Sequence, residues 1–433
     1  MTRPNSVATN YTYDNLSRLL SVLHQLSGST IDGTSYGLDN AGNRTSKTDQ
    51  RASVTSNYTY DSLYQLTQVT QSANTTESYS YDPVGNRTAS LGVSSYTTNS
   101  SNELTATPST SYAYDNNGNT LTKVIGSNTT NYAWDYENRL TSVTLPGSGG
   151  TVSFKYDPFG RRIYKSLSSG GTSVFAYDGD NLIEETNSSG AVVARYAQTQ
   201  NIDEPLAMLR SSTTSYYNAD GLGSVTSLAN SSGTLTQTYT FDSFGKQTAS
   251  SGSLTNPFQY TGREFDSESS LYFYRARYYD PNTGRFVSED PLQFGAGENF
   301  YLYALENAVN LNDPYGLCPP DCHCGCLKCH IVNMLVTGYD NSYQSTGKNP
   351  GDPGYGITAS GKKAAAGTIA APKNYPFGTE MFVPGYGCGN VQDRGGAIKG
   401  SHIDLWFSST QQALNWGMKR NLPVEVCDDP ITK

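Results

Sequence analysis

Aromatic and polar residues alternate over short stretches in the first 257 residues of this chain, and the same pattern recurs along them. Two aromatic residues, separated by one position and followed by aspartate, appear as YTYD, YSYD, YAYD, YAWD, FKYD and FAYD. Side chains with a period of two alternate between the faces of a β-strand. After the aspartate come turn-forming residues, as in DPVGN and DPFGR. The pattern therefore predicts a series of β-hairpins.

The aspartates of these units are spaced at a nearly constant interval. Steps of 25, 22, 21, 33, 20, 22 and 21 residues separate Asp14, Asp39, Asp61, Asp82, Asp115, Asp135, Asp157 and Asp178. A fixed period indicates a repeat array, and the step of 33 predicts a degenerate unit. Because a lone hairpin is only marginally stable in water, we expect the units to pair into a continuous sheet. Residues that recur with the repeat are interpreted as strand packing and turn capping, not as a ligand site.

A stretch dense in aromatic residues, 271–317, separates two kinds of sequence. All seven cysteines follow it, and the repeats precede it. Each buried aromatic side chain removes ~150–250 Å² from water, so the stretch is expected to form a rigid plug. Three Asp-Pro pairs divide it into short segments, at Asp280, Asp290 and Asp313. We interpret the first as a turn between two extended runs.

Composition narrows the classes of partner. Only 15% of the 433 residues are charged, and Gly (42) and Tyr (33) are abundant, which favours β-structure. A net charge of −9 argues against nucleic acid, because phosphate binding needs a basic surface. No apolar run approaches the ~20 residues that span a membrane. The amino-terminal segment lacks the apolar core of a signal peptide, so export is expected to be signal-independent, or the chain to continue a longer one.

A cysteine cluster, CPPDCHCGCLKCH, follows Leu317. Three interpretations stay open for it: a structural Zn²⁺ site, a set of disulfides, or redox-active thiols. Cys388 and Cys427 stand apart in the tail and could pair with each other, which leaves an odd number in the cluster. The candidate metal ligands are Cys318, Cys322, Cys324, Cys326 and Cys329.

The tail from residue 336 has the composition of a small closed β-barrel, with short apolar runs and glycine-rich turns. The strands are predicted at 380–383, 389–392, 403–407 and 424–427, and one helix is predicted near 409–418. Asp393 ends one of these strands. Asp404 interrupts the apolar run 403–407, where alternation turns it away from Ile403 and Leu405. It is either a buried hydrogen-bonding residue or a general acid whose pKa is raised by burial and by a neighbouring carboxylate.

The plug carries a specific resemblance. YYDPNTGRFVSEDP followed by NDPYGL resembles the core of the RHS (YD-repeat) family, whose repeat arrays coil into a hollow β-shell around a variable carboxy-terminal domain. The resemblance implies self-cleavage after Leu317, in which Asp290 and Asp313 activate water. The chain has Glu289 where cleaving members have arginine before the first aspartate.

The tail carries a second resemblance. GITASGKKAAAGTIAAPKNYPFGTEMFVPGYG and NVQDRGGAIKGSHIDLWF resemble the 3D (three-aspartate) domain, a double-psi β-barrel shared with membrane-bound lytic transglycosylase A. The resemblance implies that Asp404 is the acid and base and that Asp393 supports it. The family's third acidic position falls on Ala371. Peptidoglycan contacts are expected from Thr358, Ser360, Gly395, Gly396 and Lys399.

These observations together predict a mostly β chain of four parts. The parts are a YD/RHS repeat array forming a shell-like sheet (1–260), the RHS core (261–317), a Cys-rich linker (318–335) and a 3D double-psi β-barrel (336–433). The repeats are expected to present or enclose a tail that cleaves peptidoglycan, with no required cofactor and with Zn²⁺ only in the linker. A non-catalytic glycan-binding tail is the alternative, and a redox domain is the least favoured. We expect a secreted or surface-delivered toxin, paired with a cognate immunity protein, or a wall-remodelling factor.

Overall fold

The computed structural model describes residues 2–293, 297–317, 329–383 and 386–427. The chain divides into two compact units, one made of Met1–Pro291 with Glu298–Leu317, the other of Leu292–Gly297 with Cys318–Lys433. Strands dominate both units, which confirms the mostly β prediction. No helix among the described residues is long and apolar enough to cross a membrane.

The repeats form two antiparallel sheets in which each strand pairs with its neighbours in sequence. The first sheet has eight strands: β1 (Val7–Tyr13), β2 (Leu19–Leu26), β3 (Ser29–Leu38), β4 (Arg44–Asp49), β5 (Val54–Tyr60), β6 (Leu66–Gln71), β7 (Asn74–Tyr81) and β8 (Arg87–Ser90). The predicted side-by-side packing of hairpins is thereby confirmed.

The second sheet has sixteen strands in the same consecutive order. They are β9 (Thr97–Thr98), β10 (Leu104–Thr107), β11 (Thr110–Tyr114), β12 (Thr120–Ile125), β13 (Asn128–Trp134), β14 (Leu140–Thr144), β15 (Thr151–Tyr156), β16 (Arg162–Leu167), β17 (Thr172–Asp178), β18 (Asn181–Thr186), β19 (Val192–Gln198), β20 (Pro205–Arg210), β21 (Thr213–Ala219), β22 (Val225–Ala229), β23 (Leu235–Phe241) and β24 (Gln247–Ser251).

The repeated aspartates cap the hairpin turns, as predicted. In the turn after β5, Asp61 Oδ1 accepts the amide N–H groups of Leu63 and Gln65, both at 2.9 Å. The same two bonds recur at most of the other repeat aspartates. Between β9 and β10, Asn99 makes them with Ser101 and Glu103, which identifies the degenerate unit in the 33-residue step.

The second aromatic residue of a unit links it to the preceding unit, a role that sequence analysis missed. Its hydroxyl or indole N–H donates to a backbone carbonyl 10 to 16 residues earlier in the chain. The donors and acceptors are Tyr60 to Arg44, Tyr81 to Leu66, Tyr114 to Leu104, Trp134 to Thr120, Tyr156 to Leu140 and Tyr177 to Arg162. These bonds tie consecutive hairpins through side chains as well as through strand pairing.

The plug is a small antiparallel sheet with an aromatic core, as its composition predicted. Its strands are β25 (Glu264–Asp266), β26 (Leu271–Tyr274), β27 (Arg277–Asp280) and β28 (Arg285–Phe286), with single 3₁₀ turns at Tyr260–Gly262 and Ala304–Glu306. Tyr272, Tyr274, Tyr279 and Tyr303 have no exposed surface. They pack with buried repeat residues such as Leu66 and Val69, so plug and sheets share a core.

Buried ion pairs also join the plug to the repeats. Arg162 of β16 pairs with Glu264 and Asp266 of β25. Lys123 of β12 pairs with Asp280 at 2.9 Å, and Arg87 pairs with Glu306 at 3.3 Å. Further carboxylate and guanidinium pairs bring Asp203 against Arg263 and Arg275.

The second unit contains a closed six-stranded barrel in the spatial order β29, β33, β30, β32, β31, β34. Its elements are β29 (Cys329–Tyr339), α1 (Tyr343–Thr346), β30 (Thr368–Ala370), β31 (Glu380–Val383), β32 (Gly387–Asp393), β33 (His402–Trp406), α2 (Thr410–Trp416) and β34 (Lys419–Cys427). The four predicted strands and the predicted helix are present. The barrel begins earlier than residue 336, because the end of the predicted linker is the start of β29.

Candidate functional sites

Two aspartates of the plug meet on one arginine. Arg277 Nη2 lies 2.7 Å from Asp290 Oδ2 and 3.3 Å from Asp313 Oδ2, and each of the three side chains is at most 2% exposed. Arg277 extends from β27, and its guanidinium also lies 3.6 Å from the centre of the Phe286 ring. Sequence analysis proposed Asp290 and Asp313 and missed Arg277.

The chain segment before the proposed cleavage point is bound to this group. The Leu317 amide donates to Asp313 Oδ1 at 3.0 Å, and Arg277 Nε donates to the Gly316 carbonyl at 2.5 Å. Gly316 has a φ of 67°, and a Cβ there would lie 2.4 Å from the Tyr274 carbonyl oxygen. Only glycine fits this position, which places Leu317 directly beside the carboxylates. Cys318, on the other side of the proposed scissile bond, lies outside the described residues.

In the barrel, strand pairing aligns four residues in one row. Asp404 of β33 is opposite Thr337 of β29 on one side and opposite Ala370 of β30 on the other. Ala370 in turn is opposite Asp393 of β32. Laterally paired residues share a face of the sheet, and the neighbours Ile403 and Leu405 are fully buried in the barrel core. The row therefore lies on the outer face, as alternation predicted for Asp404.

Asp404 has the environment of a protonated acid. Burial raises the pKa of its carboxyl above the usual range, and the charge of Asp393 acts in the same direction, while a hydrogen bond from Thr337 and the proximity of His402 oppose the shift. The oxygen Oδ1 is buried, and no hydrogen-bond partner lies within reach of it among the described residues. His402 Nε2 is 2.8 Å from Thr337 Oγ1.

Asp393 has the opposite environment, because all of its partners donate to it. Oδ1 accepts the amide N–H groups of Ala359 and Arg394, both at 2.9 Å, and Oδ2 accepts the Tyr339 hydroxyl at 2.9 Å. Acceptance of three hydrogen bonds is the pattern that suits a carboxylate, which has no proton to donate. The two aspartates therefore differ in their surroundings: Asp393 has three donors, whereas Asp404 has a raised pKa and one buried oxygen without a donor among the described residues.

The structure brings some of the predicted glycan-contacting residues to Asp393. Thr358 and Ser360 are 3.0 Å apart through their hydroxyls, and Ala359 between them donates to the Asp393 carboxylate. Gly395, Gly396 and Lys399 follow Asp393 on the next loop, where a Cβ at Gly396 would meet nothing within 4 Å. Both loops thus flank the row.

Ala371 does not lie in the row. Its side chain is fully buried in the barrel core, and its amide donates to the Asp393 carbonyl at 3.2 Å. The residue that stands between Asp393 and Asp404 is Ala370. Sequence analysis also missed Thr337 and Tyr339, although their alternation with the apolar residues of a strand before Asp340 was a usable pattern.

The cysteine predictions are affected in two ways. The proposed metal ligands Cys318, Cys322, Cys324 and Cys326 lie outside the described residues, and of Cys329 only the backbone is described, at the start of β29. The suggested Cys388–Cys427 disulfide is disfavoured by backbone register. Cys388 is opposite Phe382 on one side of β31, and Cys427 is opposite Glu380 on the other side. Two strand spacings therefore separate the Cα atoms of the two cysteines by about 10 Å, beyond the ~7 Å that a disulfide can bridge.

The class defined by these features is a β-shell scaffold whose plug holds a carboxylate pair, joined to a small barrel with a second pair. The profile of the teneurin YD-shell family matches residues 50–307, and the 3D domain profile matches residues 367–427. The chain therefore belongs to the teneurin YD-shell family, of the RHS/YD type, and carries a 3D domain.

Similar proteins include the tRNA3(Ser)-specific nuclease WapA of Bacillus spizizenii, 34% identical over 274 residues, covering 59% of this chain and 12% of that protein. The probable deoxyribonuclease RhsA of Dickeya dadantii is 31% identical over 230 residues, covering 49% of this chain and 16% of that protein. This chain thus corresponds to a small part of either relative.

Solved structures share the fold. The Photorhabdus luminescens Tc holotoxin pore aligns with a TM-score of 0.62 and 22% identity, over 74% of this chain and 18% of that one. The crystal structure of TcdB2-TccC3-Cdc42 aligns with a TM-score of 0.59 and 21% identity, over 73% and 18%.

Proposed function

We propose that the barrel cleaves peptidoglycan as a lytic transglycosylase, and that the YD-repeat shell is the scaffold that presents or encloses it. The observation that carries the proposal is the unequal pair: Asp404 is partly buried and has one oxygen without a hydrogen-bond partner among the described residues, whereas the Asp393 carboxyl accepts three hydrogen bonds. Glycan cleavage needs an acid that is still protonated near neutral pH, and burial beside a charge is how proteins obtain one.

One acid and base is enough for this reaction. Asp404 gives its proton to the glycosidic oxygen as the bond to muramyl C1 breaks. It then takes the proton of the muramyl C6 hydroxyl, whose oxygen bonds to C1 and closes the anhydro ring. Asp393 remains ionised and stabilises the positive charge that develops on the sugar. Water is not consumed, so a second catalytic carboxylate of the kind that glycoside hydrolases use is not required.

The flanking loops supply the contacts for a glycan strand. The hydroxyls of Thr358 and Ser360 offer donors and acceptors on one side of Asp393. On the other side, Gly395 and Gly396 allow backbone to approach a sugar closely, and Lys399 is exposed.

The relatives support a toxin as the context. Proteins named as nucleases share the scaffold, and we infer that this chain belongs to a secreted or surface-delivered toxin that a cognate immunity protein would neutralise. Their nuclease activity is not carried over, because the matched segments are 12% and 16% of those proteins. The net charge of −9 also disfavours nucleic acid as the target.

The test is to incubate the full chain and its Asp404→Asn variant with purified peptidoglycan and to identify soluble products by mass spectrometry. Asp352→Asn is the matched control, since it makes the same change at an exposed loop residue. Anhydro-muramyl ends from the native chain and the control, but not from Asp404→Asn, are expected. Co-sedimentation with the wall and no soluble product would replace cleavage with glycan binding.

A second activity, self-cleavage after Leu317, is favoured by the way Leu317 and Gly316 are held on Asp313 and Arg277. We propose that Asp290 and Asp313 activate water toward the Leu317 carbonyl. This chain has Glu289 at the position where cleaving members of the family have arginine, and we propose that Arg277 takes the role of that arginine. Intact-mass measurement of the 46.8 kDa chain over time tests this. Release of a tail of about 12 kDa, by residue count, from the native chain but not from Asp313→Asn is expected. A stable intact mass would refute it.

A further inference from the structure

One residue of the barrel donates a hydrogen bond to Asp393, is influenced by the charge of Asp404, and has no assigned role. We propose that Tyr339 is a positioning residue that locks Asp393 in its ionised orientation and so keeps the proton of the pair on Asp404. The inference rests on the proposed function for its catalytic meaning, but the coupling itself is a property of the folded barrel.

The geometry of Tyr339 is unusual for a strand residue. It is the last residue of β29, two positions after Thr337 on the same outer face, and it is opposite Trp406 of β33. Its hydroxyl nevertheless bonds Asp393 on β32, with β33 and β30 lying between their strands. Ala370, the residue of the row between the aspartates, has only a methyl group. Tyr339 is only 9% exposed.

The hydroxyl acts as a donor under all ordinary conditions. Burial, followed by the charge and hydrogen bond of Asp393 and the charge of Asp404, raises the pKa of Tyr339 well above its usual range. A neutral phenol directed at Asp393 Oδ2 favours the ionised carboxylate over a protonated one, since hydrogen bonds to charged acceptors are about twice as strong. The negative charge that this donor stabilises on Asp393 acts in the direction that favours the acid form of Asp404.

The other charged groups around Asp404 are accounted for. His402, on the same strand, lies near Asp404 and is bonded to Thr337. Arg394 follows Asp393, but its guanidinium bonds the carbonyls of Ala371 and Tyr375 and lies 4.1 Å from the centre of the Phe377 ring. Tyr339 is therefore the side chain that donates a hydroxyl to Asp393 while it lies within the electrostatic influence of Asp404.

Loss of the hydroxyl should affect both aspartates. In Tyr339→Phe, Asp393 keeps the two amide donors on Oδ1, while Oδ2 becomes free to rotate toward solvent or to take up the proton. Either change weakens the negative charge that Asp404 experiences. The titration of Asp404 should then move to lower pH, and less of the acid form remains at neutral pH.

The experiment combines two measurements on the full chain, with Tyr343→Phe as the matched control because Tyr343 is exposed and lies in α1. Carboxyl-carbon NMR with labelled aspartate, assigned through Asp404→Asn, follows the titration of Asp404. Peptidoglycan turnover gives kcat and KM across pH. Tyr339→Phe is expected to lower kcat about tenfold with KM within about twofold, and to shift the Asp404 titration downward.

A double-variant cycle guards against a general loss of structure. In an Asp393→Asn background the hydroxyl has no charged acceptor, so adding Tyr339→Phe should have little further effect on the Asp404 titration. An Asp404 titration that Tyr339→Phe leaves unmoved overturns the inference, whether or not the native chain cleaves. A shifted titration in a chain without turnover supports the coupling and refutes the proposed cleavage instead.

Discussion

Replacement of the most deeply buried arginine should test how the plug is held in the repeats. Arg162 is 2% exposed and bonds Glu264 Oε2 at 2.7 Å as well as the Asp266 carboxylate. Asp266 is also bonded by Lys165, at 3.1 Å. Arg162→Met keeps the volume of the side chain and leaves Glu264 without its cation.

The expected loss in the free energy of unfolding is large because the carboxylates of Glu264 and Asp266 stay buried. Removing one partner of a buried ion pair costs ~3–5 kcal/mol, whereas an exposed pair contributes ~0–1 kcal/mol. Arg195→Met is the matched control, since Arg195 is 60% exposed and its Nε is 2.7 Å from Glu184. Neutralising the acids as well, with Glu264→Gln and Asp266→Asn, should recover most of the stability lost in Arg162→Met.

The pH dependence gives the sharper test. In the native chain burial would raise the pKa of Asp266, but Arg162 and Lys165 hold it below its usual value. The lowered pKa of Asp266 contributes to the free energy of unfolding above a pH of about 3.9, the pKa of an unfolded aspartate. This contribution is lost as the pH falls. In Arg162→Met, Glu264 has no cation and Asp266 keeps only Lys165, so burial should raise the pKa values of these carboxyls. The loss of stability should then be full at pH 7 and smaller near pH 4.

Guanidinium unfolding of the native chain, Arg162→Met and Arg195→Met at pH 7 and pH 4, followed by circular dichroism, measures the loss of stability and its pH dependence. A loss at pH 7 below about 1 kcal/mol, equal to that of Arg195→Met, would refute the view that buried pairs hold the plug. A penalty that does not shrink in acid would show that Glu264 and Asp266 are not its source.

Three further predictions concern the repeats and the barrel. Tyr114→Phe removes the hydroxyl bonded to the Leu104 carbonyl at 2.9 Å and should lower stability by about 0.5–1.5 kcal/mol in the same unfolding assay. His24 is buried between the Thr9 hydroxyl and the Ala219 carbonyl, and burial lowers its pKa. Stability should therefore fall as the pH drops below about 6.5, the pKa of an unfolded histidine. Thermal melts at pH 7 and pH 5 should show a smaller pH dependence for His24→Gln than for the native chain. Because Cys427 is directly opposite Cys329 in the backbone register, non-reducing peptide mapping of oxidised protein should link Cys427 to Cys329 and not to Cys388.

The parts of the fold that follow local periodicity could be predicted from the sequence. The YxYD units gave hairpins because their alternation, turn residues and fixed spacing all favour one structure. Even the missing unit was predicted from the 33-residue step, and the structure shows Asn99 in the place of aspartate. Strand β29 was not predicted. Its first half lies in a cysteine-rich segment whose composition favours a linker.

The candidate sites were predicted only as far as single residues reveal chemistry. Asp404 was identifiable because a carboxyl group in an apolar strand needs a reason, and Asp290 and Asp313 because they lie in a resembling motif. Arg277 and Tyr339 were not identifiable in this way. Alternation could have placed Tyr339 on a strand face, but the contacts of Arg277 with Asp290 and Asp313, and of Tyr339 with Asp393, join segments distant in sequence. No local pattern encodes such contacts.

The plug pair, Asp290 and Asp313, and the barrel pair, Asp393 and Asp404, differ in the group that lies between the two carboxyls. This difference gives the two pairs different electrostatic environments. Between Asp290 and Asp313 lies the Arg277 guanidinium, whose positive charge compensates both carboxylates. Between Asp393 and Asp404 lies the methyl group of Ala370, and burial together with the charge of Asp393 raises the pKa of Asp404, although His402 acts in the opposite direction. The barrel pair therefore favours the acid form of Asp404, whereas the plug pair is bridged by a cation that also donates to the Gly316 carbonyl.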